Sequence, residues 1–111
     1  MNVVVIRGTL SSEPIERTFA GGRNVMDWQV TTVLDGVKLS VLVQWHDPPK
    51  HALKYGEGDE VVVLGSVRRR FFQVGGATAT RTEVVANQAA RPTARVTVSR
   101  MLDQARTQLA A

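Results

Sequence analysis

"DEVVVLGSVRRRFFQV", residues 59–74, is valine-rich in its first half and then sets three arginines against two phenylalanines. A strand buried in a core does not carry Arg68, Arg69 and Arg70, and a solvated strand has little use for Phe71 and Phe72. Side chains alternate along a strand, so period-2 spacing sorts the run into two faces. Val61, Val63, Val67, Arg69 and Phe71 share one, which the valines assign to the interior. Arg68, Arg70 and Phe72 share the other. Gly65 marks a bulge or bend upstream of this grouping. From the strand alone, two readings of the second face stay open. One is a platform for single-stranded nucleic acid, with guanidinium groups for phosphates and a ring on which an unstacked base can lie. The other is an amphipathic hairpin with solvated arginines and a Phe covered by a neighbour or a second subunit.

The flanking sequence supplies the partners of this strand. "VVVIRGTL", residues 3–10, reads as a first strand ended by the polar "SSEP". "RNVMDWQVTTVL", residues 23–34, alternates with Met26, Trp28, Val30, Thr32 and Leu34 on one face, and Trp28 reads as core. Asp35-Gly36 then forms a tight hairpin turn, because both central residues need positive φ. "VKLSVLVQW" returns as the third strand. "DPPKHALKYG", residues 47–56, predicts a short helix capped by Asp47, with Pro48 in its first turn and Gly56 as a left-handed stop. "GGATATRTEVVAN" turns through Gly75-Gly76 into a fifth strand. Beyond Pro92, "TARVTV" alternates like an extra strand. "SRMLDQARTQLAA" predicts a terminal helix capped by Ser99, with Met101, Leu102, Ala105 and Leu109 at helical spacing. Five strands with a helix between the third and fourth is the order of an OB barrel. The expected fold is all-β: an OB-fold five-stranded barrel over residues 1–90, then a strand and short helix over residues 91–111.

Composition bounds the function. The 111 residues suffice for one domain, and 43% hydrophobic with 22% charged residues is neither a disordered nor a membrane composition. The absence of cysteine removes disulfides, thiolate zinc sites and cysteine nucleophiles. Apolar runs are strand-sized and the first residues lack a signal-peptide pattern, so a cytoplasmic, nucleoid-associated protein without membrane partners is expected. Fourteen Lys and Arg against ten Asp and Glu give +4, and the placement is informative. No acidic residue falls between Val61 and Thr82, where Arg68, Arg69, Arg70 and Arg81 lie, and a one-signed field attracts phosphates. His46 and His51 lack metal-ligand spacing, the Gly-Gly pairs lack a P-loop's pattern, and Glu13 and Glu16 have no partner base. No catalytic constellation, metal or cofactor is expected, and the chain reads as a binding protein rather than an enzyme.

The order of motifs resembles the bacterial single-stranded DNA-binding protein family (SSB). "NVVVIRGTLSSEPIER" is similar to its opening, carried by Gly8, Leu10, Glu13, Pro14 and Arg17. "VVVLGSVRRRFF" is similar to its fourth strand, with Phe72 where a stacking aromatic usually sits. "RTEVVAN" is similar to its closing strand, and "RPTARVTV" to an additional strand of actinobacterial members. The likeness spans residues 2–98. It implies binding of single-stranded DNA with little sequence preference during replication, repair or recombination, by a homo-oligomer, a tetramer in preference to a dimer. Arg68, Arg70 and Arg81, with Lys38, Arg7 and Arg17, would neutralise phosphates, and Phe72 would stack bases.

Trp45 carries competing readings. The resemblance puts it on the DNA face as a second stacking residue, which is our expectation. Strict alternation instead groups it with Leu39, Val41 and Val43 on a buried face, which a bulge near Gln44 or a second subunit would reconcile. The chain also departs from the family pattern. The Asp35-Gly36 loop is very short, and "RTQLAA" has no acidic tip, so tail-mediated recruitment of repair enzymes is not expected. Two alternatives stand beside DNA binding: an oligomeric OB-fold scaffold with little or no DNA affinity, and an RNA-binding OB domain.

Overall fold

The computed structural model describes residues 2–111. In chain order it contains β1 (Val4–Leu10), β2 (Ile15–Thr18), β3 (Asn24–Leu34), β4 (Val37–His46), a 3-10 turn (Lys50–Lys54), β5 (Glu60–Val74), β6 (Ala77–Ala90) and α1 (Arg95–Ala110). The strands close into a ring: β1 lies beside β5, β5 beside β6, β6 beside β4, β4 beside β3, and β3 returns to β1. Only the β4–β6 pairing is parallel. Closure leaves no long sheet edge at the centre, and the architecture is an all-β barrel with one helix packed outside.

Two glycines make the closure possible. A Cβ on Gly8 would stand 2.5 Å from the Thr31 carbonyl oxygen, where β1 crosses β3. A Cβ on Gly65 would stand 2.2 Å from the Val85 carbonyl oxygen. The bulge expected at Gly65 is present, and β6 supplies the extra residue: Leu64 pairs with Gln88 and Gly65 with Ala86, leaving Asn87 unpaired. Parity along β5 is therefore unbroken.

Val61 and Val63 point into the barrel with Leu10, Met26, Trp28, Val30, Val43, Trp45, Val84 and Ala86. Trp28 and Trp45 meet edge to face, 5.5 Å between centroids at 78°. Tyr55 plugs the end beneath Trp28, and its burial raises the phenol's pKa. Arg91 lies 4.7 Å from the Tyr55 ring centroid and pairs with Asp59 at 3.3 Å. The Gly56 N–H donates to Asp59 Oδ2 at 2.8 Å; this bond first, then Arg91, holds the carboxyl below its ordinary pKa.

Several expectations are corrected. Trp45 is core, 4% exposed, because the β3–β4 ladder runs without a bulge from Val25–His46 to Leu34–Val37. The extra strand after Pro92 is absent; residues 95–98 belong to α1. In the helix Val98, Met101 and Ala105 form a stripe over Val62, Leu64 and Ala90. Ser99 is accordingly inside the helix rather than its cap. Asp47 does not cap the 3-10 turn: it takes φ 47° at the end of β4 and accepts the Asn24 N–H at 3.1 Å. The left-handed glycine there is Gly58 rather than Gly56. β2 escaped notice, since "IERT" is short and has no apolar alternation.

Candidate nucleic-acid interface

β5 and β6 outrun the barrel. β1 contacts β5 only as far as the Val4–Gly65 pair, after which the Asn2 side chain takes over for one step. Its amide donates to the Val67 carbonyl at 2.6 Å and accepts the Val67 N–H at 2.9 Å. β4 leaves β6 at the Leu42–Glu83 pair. Past these points the two strands pair only with each other, to a turn at Gly75 and Gly76 with φ of 56° and 82°. The result is a projecting hairpin on a molecule 47 × 33 × 31 Å in extent.

This projection corrects the placement of Phe71, which was expected in the interior. It is 66% exposed, since no opposite wall exists at that level. Arg69, on the same face, is exposed too.

The outer face holds Arg68, Arg70 and Phe72, with Glu83, Arg81 and Ala79 as their respective partners across the ladder. Their roles diverge. Arg68 donates to Glu83 Oε1 from Nη2 at 2.6 Å and from Nε at 3.1 Å, and its Nη2 also reaches Gln44 Oε1 at 2.6 Å. Glu83 is fully buried, so this guanidinium neutralises a carboxylate inside the protein. Arg70 and Arg81 face each other, exposed, and neither has an acidic partner among the described residues. The Arg81 guanidinium lies 5.8 Å from the centroid of the half-buried Phe72 ring. Arg70, Arg81 and Phe72 thus form one cluster, with Arg68 anchored behind it.

The remaining expected residues are dispersed. Lys38 is exposed near the tip of the β3–β4 hairpin, opposite Val33, beside an open cleft also lined by Thr9, Ser11 and Ser40. Arg7 lies across from Val62 near the start of α1 and pairs with Glu60 at 3.0 Å. Arg17 pairs with Asp27 at 2.9 Å and sits 5.3 Å from the Phe19 ring centroid. Sequence reasoning missed this Phe19 corner. Its signal was present as an aromatic next to the Gly21-Gly22 pair and Arg23, a stretch weighed for a P-loop's pattern.

No protein-family model matches the chain, and no curated protein matches it either. No helix among the described residues is long and apolar enough to cross a membrane.

Proposed function

We propose that the chain is an OB-fold protein that binds single-stranded DNA with little sequence preference, on the outer face of the β5–β6 hairpin. The ring order, the parallel β4–β6 pair and the helical turn between β4 and β5 support the OB assignment. The observation that carries the function is the Arg70–Arg81–Phe72 cluster, two exposed guanidinium groups beside a half-buried ring. Its cations have no acidic partner among the described residues, and Phe72 offers a stacking surface that duplex DNA, with no free base face, cannot use.

The test is a titration of fluorescein-labelled oligo(dT), followed by anisotropy at several salt concentrations. Intrinsic tryptophan fluorescence is a poor reporter, because Trp28 and Trp45 are both buried. Binding is expected to weaken with salt and with Phe72→Ala, and to exceed that of duplex DNA and of oligo(U). Tighter oligo(U) binding would make the protein an RNA binder. Absence of binding at micromolar protein and low salt would move the function to a scaffold. The exposed apolar tip of the β3–β4 hairpin, Val33, Leu34, Val37 and Leu39, favours that second reading as a protein contact surface.

A further inference from the structure

The outer face does not stop at the β5–β6 hairpin. Cross-strand partners share a face, and the pairings connect Arg68 to Glu83, Glu83 to Leu42 and Leu42 to Gln29. One row further along, Gln44 connects to Asp27, and beyond it His46 connects through Val25 to Arg17. The sheet surface is therefore continuous from Phe72 to the corner where β2 meets β3. Along it runs a polar belt, Arg17–Asp27 at one end and Gln44–Arg68–Glu83 at the other.

At that far corner lies a cleft of about 290 Å³ lined by Phe19, Ala20, Arg23, Val25 and His46. Phe19 follows the last residue of β2 and is 47% exposed. Burial does not explain a half-exposed aromatic at a glycine turn. One guanidinium, Arg17, lies against its ring and is already paired with Asp27. A second, Arg23, is exposed on the cleft wall and has no acidic partner among the described residues. His46 closes the third side. Asp27 is paired with Arg17, and Asp47, next to His46, accepts the Asn24 N–H through Oδ1. Ring and uncommitted cation repeat the components of the Phe72 cluster at the opposite end of the same face, here beside an open cleft.

We propose that Phe19, Arg23 and His46 form a second nucleotide subsite, in which a base lies on the Phe19 ring and its phosphate meets Arg23. This rests on the single-strand-binding reading above and extends it: the strand crosses the outer face from the β5–β6 hairpin to the β2–β3 corner. The belt between them is made of ion-paired or buried polar groups, so it spaces the two subsites without holding a base.

The experiment is anisotropy with labelled oligo(dT) of increasing length, on the unaltered protein and on Phe19→Ala, Arg23→Ala and Phe72→Ala. Oligomers too short to span the face are expected to bind the first two variants like the unaltered protein, while Phe72→Ala weakens them. Above a threshold length, Phe19→Ala is expected to bind at least about 5-fold more weakly, the low end of a lost base stack. Arg23→Ala is expected to lower the slope of log K against log salt by about 1 for long oligomers alone. Phe19→Tyr, which keeps the ring, should restore affinity, so a folding defect is distinguished from a lost contact. If Phe72→Ala weakens binding but Phe19→Ala and Arg23→Ala match the unaltered protein at every length, the second subsite is overturned and the first stands. If the Phe19→Ala loss is equal at all lengths, or Phe19→Tyr does not restore it, the residue is structural and the proposal fails. No binding by the unaltered protein at any length would defeat the underlying reading, and this inference with it.

Discussion

The two halves of β5 belong to one strand and follow opposite rules. From Val61 to Gly65 every residue is buried: odd positions face the barrel interior and even positions lie under α1. From Arg68 to Val74 the same alternation continues, but the residues are exposed apart from the half-buried Phe72 and the Arg68 guanidinium held against Glu83. The backbone ladder to β6 runs through both halves, interrupted once by the bulge between Leu64 and Gly65. What changes is the number of neighbouring elements, since β1 and α1 flank the first half and neither reaches the second. Hydrogen bonding to β6 thus continues along both halves, while packing alone decides which half is core and which is free to contact something else.

The largest expected effect is on the first half. Gly65→Ala puts a Cβ against the Val85 backbone, which has no flexible side chain to yield. A loss of about 3 kcal/mol or more is expected, seen as a Tm lower by roughly 10 °C or more. The comparison sharpens with a matched pair on one face. Val63→Ala removes buried methyl groups and is expected to cost about 1–3 kcal/mol in urea unfolding. Phe71→Ala removes more atoms yet is expected to cost about 0.5 kcal/mol or less. Equal losses for the two would break the division proposed for β5.

Arg68 and Arg70 divide in the same way two residues apart. Arg68→Ala leaves Glu83 buried without its cation. The cost expected is about 1–3 kcal/mol, less than for a fully dry pair because Arg68 is partly solvated. Arg70→Ala should leave stability unchanged and lower the salt dependence of oligo(dT) binding by a slope of about 1. Denaturation and binding curves on both variants check the pair.

The smallest effect lies at the end of the barrel. The pKa of Asp59 is lowered in the folded protein, so its contribution is complete above the ordinary carboxylate range. It is lost as pH falls through the folded value. Tm measured from neutral to acid pH should fall slightly more steeply for the unaltered protein than for Asp59→Asn, and the hairpin variants should leave that difference untouched.

Much of this was legible in the residues. Alternation put Trp28 in the core on one face with Met26 and Val30, the need for positive φ put Asp35-Gly36 in a tight turn, and a glycine within a strand marked the bulge or bend at Gly65, because each depends on neighbours a few residues away. It also placed Trp45 correctly, where the family resemblance pointed to the opposite face. Periodicity sorted Arg68, Arg70 and Phe72 onto one face but could not tell them apart. Their difference comes from Glu83, fifteen residues away, and from Gln44 on another strand. The Phe19 corner stayed hidden for the same reason: Phe19 and His46 are separated along the chain and meet only because β2 and β4 both flank β3.

The sequence by itself determined the strand periods, the turns and the excess of arginine, since local sterics and side-chain chemistry act over a few residues. Only the tertiary structure decided that residues 95–98 are helix, that Phe71 is exposed and that Arg68 is committed inward. Burial and ion pairing are properties of what surrounds a side chain, and for β5 those surroundings end at Arg68.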